Sequence, residues 1–329
     1  MPAPPDPAGS RPDLTPPPAT DRPRPLVTYL KGFAMGCADI VPGVSGGTIA
    51  MVVGVYEGLL GSLSALSSGD FLRHLTRGRL GRAFEAMNGA LLFPLLAGIG
   101  TALVTLSRVI GHLLATYPGY VMAVFFGLVT ASALVVGRRV ARWRTFTAVA
   151  LALGAGLGLV VVTLTPVETP SGTAFLFGSG FLAICAMVLP GISGAFVLVL
   201  LGKYDLALSA LARFDLGVIV PIALGAMVGL LSFARLLSYL LKRHRDPMLA
   251  LLTGFMVGSL YKVWPYVSPE GGATWPWAAG GAGAALLTAG LVVVGAVVVL
   301  ALERLGNRAA MSARSRSSFS STTRFTPRR

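Results

Sequence analysis

Six apolar blocks, residues 88–113, 119–137, 145–165, 218–241, 248–265 and 277–302, decide what this chain can fold into. Each is close to the length needed to cross roughly 30 Å of hydrocarbon as an α-helix at about 1.5 Å per residue. Only 12% of the 329 residues are charged and the mean hydropathy is +0.75. Soluble domains carry about twice that charged share, so the composition excludes a soluble enzyme. The expected class is an all-α polytopic membrane protein.

A net charge of +14 would suggest a nucleic-acid binder in a soluble chain. Here most basic residues fall in five segments outside the apolar blocks, 11–31, 73–82, 138–144, 242–245 and 304–329. They are better explained by topology, and no nucleic-acid partner is expected. Cys37 and Cys185 sit in apolar surroundings and read as small packing residues. The three histidines, His74, His112 and His244, converge on no motif. No cofactor, metal-ligand set or nucleophile with its base is read from the chain, so enzyme chemistry is not expected.

Two further apolar stretches, residues 27–66 and 173–211, are interrupted by VPGVSGG (Val41 to Gly47) and LPGISGA (Leu189 to Ala195). Proline removes a helical hydrogen bond and clashes with the preceding turn, and glycine tolerates a sharp reversal. Pro42, Gly43, Pro190 and Gly191 therefore mark breaks, and each stretch reads as a re-entrant hairpin of two half-helices. With both hairpins re-entrant, every basic segment lands on one side and the basic-free connections 114–118, 166–172 and 266–276 land on the other. Under the positive-inside rule this gives six full spans with both termini in the cytoplasm.

The chain also repeats itself. Pro42 to Leu60 aligns without gaps to Pro190 to Leu208, with Gly54/Gly202 and Tyr56/Tyr204 among the identities, and a second block pairs Pro94/Pro221, Gly98/Gly225, Arg108/Arg235 and Gly127/Gly254. Each repeat is one hairpin followed by three spans. An odd number of spans forces the second copy to be inverted, a pattern known from secondary transporters. The expected organisation is a disordered Pro-rich extension (1–25) without the apolar core of a signal peptide, repeat 1 (26–165), repeat 2 (166–304) and a disordered Ser/Arg-rich tail (305–329). The tail has two readings, contact with anionic membrane lipids or simple solvation.

The hairpin tips are expected to meet near the bilayer midplane, where non-helical backbone must be buried or line a polar cavity. Ser45, Gly46, Gly47 and Thr48 open one half-helix, and Ser193 and Gly194 open the other. Unpaired N–H groups at a helix start suit an anion such as phosphate; the alternative is that the serines only cap the half-helices. Arg108 and Arg235 lie inside spans, where a charge costs several kcal/mol unless paired or hydrated. They are read either as neutralising a phosphate or as snorkelling to a leaflet edge. Asp39 and Glu57 are candidates for a coupling proton or cation such as sodium. Asp39, whose counterpart is Met187, has the alternative of bonding backbone N–H groups at the break, and Glu57 leans towards an interfacial role.

ADIVPGVSGGTIAMVVGVYEGLL (Ala38 to Leu60) and AMVLPGISGAFVLVLLGKYD (Ala186 to Asp205) resemble the paired motifs of the membrane family catalogued as domain of unknown function 368. The resemblance covers residues 26–304. It implies a flippase in the bacterial plasma membrane that returns polyprenyl phosphate, the undecaprenyl-phosphate carrier of cell-wall (peptidoglycan) synthesis, to the cytoplasmic leaflet. The phosphate head and isoprenoid tail suit the anion-binding tips and the arginines. The competing expectation is an ion-coupled carrier or channel for a small soluble anion, which would use the same half-helix starts.

Overall fold

The computed structural model describes residues 24–40, 45–266, 274 and 276–322. These form helices only, with no strand among them. The first group is α1 (Pro25–Asp39), α2 (Gly46–Val52), α3 (Tyr56–Leu66), α4 (Gly69–Thr76), α5 (Leu80–Ala86), α6 (Gly89–Thr116), α7 (Pro118–Gly137) and α8 (Thr145–Thr163). The second is α9 (Thr173–Val188), α10 (Gly194–Leu200), α11 (Tyr204–Arg213), α12 (Leu216–Arg243), α13 (Arg245–Ser259) and α14 (Pro276–Thr322). Helix α14 is broken at Gly281, whose φ is 72°.

Among the described residues, five segments are long and apolar enough to cross a membrane: α6, α7, α8, α12 and Gly281–Arg304 of α14. The count rises to seven if each of two bent helix pairs is taken as one crossing. The block at 248–265, expected as a sixth span, ends its helix at Ser259 after 15 residues and continues in turns. Lys262 and Pro265 follow within a few residues, one polar and one unable to continue a helix. Helical backbone in α14 runs on to Thr322, into the stretch read as a tail. No proline interrupts it between Glu303 and Thr322.

The two apolar stretches do break near their middles, but each breaks twice. After the tip, α2 and α10 last only seven residues before the chain turns by 118° into α3 and by 111° into α11. Gly54 and Gly202 make these turns, with φ of 73° and 63°. A side chain with a Cβ adopts that left-handed conformation only at a cost. The second half of each stretch is therefore a short helix plus a separate one.

Close helix crossings explain four more glycine pairs. Helix α1 packs on α6 and α9 on α12. A Cβ on Gly32 would overlap the Leu95 carbonyl, and one on Gly98 would overlap that of Tyr29. At the aligned positions, Gly180 would overlap the Ile222 carbonyl and Gly225 that of Phe177. Helices of the first group also pack on helices of the second: α14 on α7 through Gly295 and Gly127, α8 on α13 through Gly154 and Gly254. Small residues let backbones approach where lipid gives no hydrophobic drive for helices to associate. The two halves are interlocked rather than laid side by side.

At the centre lies α2. Six of its seven residues are buried, Ile49, Ala50, Met51 and Val52 among them. A helix apolar all round belongs inside a protein, and Leu60, Leu237, Leu252 and Met256 complete the core around it. The element that begins at the first tip is thus the most enclosed helix of the fold.

Candidate functional site where the two hairpins meet

Ser45 is the N-cap of α2. Its Oγ accepts from the Gly47 N–H at 3.1 Å and is within donating reach of the carbonyls of Met187 (3.3 Å) and Leu189 (3.4 Å). A hydroxyl has one proton, so those two carbonyls share it. The phenol of Tyr56, itself buried, donates to the carbonyl between them, Val188, at 2.9 Å. The last carbonyls of a helix have no partner within it. Ser45 and Tyr56 thus satisfy the end of α9, and the two breaks are in direct contact.

Asp39 Oδ1 accepts from the Gly46 N–H at 2.6 Å, so its carboxylate sits at the start of α2. A Cβ on Gly46 would collide with that carboxylate. At the other end of α2, Arg139 donates to the carbonyls of Met51 (2.7 Å) and Val52 (2.9 Å), and Lys31 donates to that of Val53 (2.8 Å). An acid at the N-terminus and two cations at the C-terminus match the helix dipole at both ends. Partial burial pulls the Arg139 guanidinium below its usual range, an effect that the nearby carboxylates of Glu303 and Glu57 oppose.

The second tip is built differently. Met187 occupies the place of Asp39 against Gly194, so no acid among the described residues takes that place at the start of α10, and Ser193 makes no capping bond. The α10 C-terminus is satisfied by neutral donors, Val167 N–H to the Leu200 carbonyl at 2.8 Å and Thr169 Oγ1 to that of Leu201 at 2.7 Å. Gly191 adopts φ 94°, and a Cβ there would meet Ser259 Oγ at 2.8 Å. Pro42 and Gly43 lie outside the described residues.

Of the expected site residues, the structure gathers Asp39, Ser45, Gly46, Gly47 and Thr48 next to the chain around Pro190. Ser45, Gly46 and Thr48 are buried, and Thr48 Oγ1 has no hydrogen-bond partner among the described residues. Arg108 is exposed on α6. Arg235 is exposed on α12, with its guanidinium bonded to the Ser67 carbonyl at 2.7 Å at the end of α3. Glu57 is exposed and paired with Arg245. Arg139 and Arg245, which sequence reasoning absorbed into charge topology, and Lys31, read there as either available to a headgroup or explained by topology, are cations the structure brings to the end of α2 and to Glu57. Tyr56 was legible only as a repeat identity, and its burial distinguishes it from the exposed Tyr204.

An apolar groove of about 410 Å³ lies between α7, α8 and α13, walled by Ala133, Leu134, Leu151, Val257 and Leu260. Arg138 and Trp143 also line it.

The model of the undecaprenyl phosphate translocase-like family matches residues 35–274 of the chain. A polyprenyl-phosphate transporter of Vibrio cholerae serotype O1 is 40% identical over 241 residues, covering 73% of this chain and 78% of that protein. A polyprenyl-phosphate transporter of Staphylococcus aureus is 28% identical over 258 residues, covering 73% of this chain and 86% of that one. No solved structure matches.

Proposed function

Since the chain belongs to the undecaprenyl phosphate translocase-like family, we propose that it carries polyprenyl phosphate from the outer to the cytoplasmic leaflet of the bacterial plasma membrane, for reuse in cell-wall synthesis. The observation that carries the reading is the contact of Ser45 with the Met187 and Leu189 carbonyls, which joins the two breaks inside a bundle of membrane-length helices. In this reading the halves are inverted repeats, both termini are cytoplasmic, and the tips meet at the midplane as the barrier that the headgroup must pass.

The headgroup would be received at the start of α10, by Ser193 and Gly194, where Met187 stands in place of the acid found at the first tip. Across from it, Ser45, Gly46, Gly47 and Thr48 form the other wall. They are enclosed in this conformation, so the halves must part for the phosphate to enter. Asp39 couples the step: its carboxylate repels phosphate while ionised, and a proton taken up there removes the repulsion and weakens its bond to the Gly46 N–H. Arg108 and Arg235, exposed at matching positions, meet the headgroup as it approaches and leaves rather than at the tips. The groove between α7, α8 and α13 supports a lipid cargo, since an isoprenoid tail can lie along apolar walls while a charged head rests near Arg138.

The test is leaflet exchange of a labelled polyprenyl phosphate in proteoliposomes, with and without a pH or sodium gradient. Exchange that requires Ser45, Ser193 and both arginines supports the reading. Uptake of inorganic phosphate without lipid exchange would replace the lipid by a soluble anion.

A further inference from the structure

Two cavities are built from the same repeat positions. Met51, Gly54, Tyr56 and Glu57 line one of about 240 Å³, and the residues aligned with them one for one, Val199, Gly202, Tyr204 and Asp205, line another of about 330 Å³. The rest of each lining differs in sign. The first adds Arg139 and Arg245, and it adjoins a space of about 280 Å³, sharing Glu57, Leu241 and Arg245, that brings in Lys242. The second adds Glu168 and Lys203, whose buried ammonium is already spent on the Thr169 carbonyl and Ser171 Oγ. One backbone frame therefore carries two cations against one acid in the first cavity, with Lys242 a third in the adjoining space, and one cation against two acids in the second.

In the first cavity Glu57 holds Arg245 at two points, Oε1 to Nη2 at 2.9 Å and Oε2 to Nη1 at 3.4 Å. Both side chains are more than half exposed, at 54% and 58%. Such a pair contributes about 0–1 kcal/mol and is readily exchanged. A phosphate monoester offers the same two-oxygen face with more charge. Arg139 spends two of its five N–H donors on the Met51 and Val52 carbonyls, and its guanidinium lines the same space.

We propose that this cavity is a phosphate-monoester site in which Arg245 and Arg139 bind the anion, Lys242 stands at the rim, and Glu57 is an internal stand-in that releases Arg245 when the ligand arrives. The proposal rests on polyprenyl phosphate being the cargo, and it makes this cavity the place where the headgroup waits on the face carrying the basic loops. The acidic lining of its counterpart then leaves the two mouths unequal for an anion.

The experiment is binding to the purified full-length protein in detergent, by calorimetry, with farnesyl phosphate and inorganic phosphate as probes. Arg245→Gln is expected to weaken farnesyl phosphate at least tenfold and Glu57→Gln to tighten it several-fold, a gain that misfolding does not produce. Inorganic phosphate is expected to bind more weakly and follow the same pattern. Equal affinity for the two probes would overturn the lipid headgroup as ligand. Unchanged binding in both variants would overturn the site. Leaflet exchange measured on the same preparations separates the two claims: exchange without these binding effects removes this site alone, and these effects without exchange remove the transport reading.

Discussion

Ser45 Oγ lies 3.3 Å from the Met187 carbonyl oxygen, across 142 residues of sequence. The side chain that caps α2 is also the one that closes the end of α9, so local helix start and long-range contact rest on one hydroxyl. Ser45→Ala removes both and is expected to lower stability by about 1–2 kcal/mol. Ser193→Ala removes no capping bond and is expected to be milder in thermal unfolding, though both should slow lipid exchange.

Tyr56→Phe deletes only the hydroxyl that serves the Val188 carbonyl. Leaving a buried carbonyl unpaired costs about 1–3 kcal/mol. The aligned Tyr204 is exposed, and Tyr204→Phe is expected to leave the melting temperature within error. Equal effects in the two variants would show that burial of the first tyrosine is not what matters.

Arg139→Ala uncovers two carbonyls at the end of α2, each losing a charge-assisted bond of about 1.5–3 kcal/mol. Arg139→Lys, a single point charge without the fork, is expected to recover part of the loss. Folded yield after detergent extraction reads the order Arg, Lys, Ala.

Gly98→Val and Gly225→Val force a side chain against the Tyr29 and Phe177 carbonyls. Overpacking of about 1–3 kcal/mol is expected in each, with similar loss in the two because the crossings are matched. Gly100→Ala, which meets nothing within 4 Å, is expected to be neutral.

Asp39→Asn keeps an oxygen for the Gly46 N–H but removes the titrating charge. If Asp39 carries the coupling proton, wild-type exchange rises as the outside is made more acidic than the inside, and the variant exchanges at a rate that no longer follows the gradient.

Apolar length made most of the spans readable, and Pro and Gly made the tips readable, because both act through local backbone chemistry. The Gly54 and Gly202 turns carried a signal, their identity in the repeat, but apolar residues on both sides hid the need for positive φ. Arg108 and Arg235 were visible as charges in apolar helices, yet which face they occupy depends on helix rotation, which these sequences barely encode. Arg139 and Arg245 posed the opposite problem. Each sits in a basic segment where topology alone suffices as a reason, and only the folded chain brings them to the end of α2 and to Glu57. The coincidence of Gly32 with Gly98, repeated at Gly180 and Gly225, could be listed from the alignment but not paired without the crossing geometry.

The central claim, transport of a phosphate-headed lipid past the meeting point of two hairpins, is tested most directly by leaflet exchange of polyprenyl phosphate in proteoliposomes containing the wild type and Ser45→Ala/Ser193→Ala. The account predicts exchange well above protein-free vesicles in the wild type and its loss in the double variant, with the variant still folded by gel filtration. Wild-type exchange no faster than protein-free vesicles, under any imposed gradient, would contradict it.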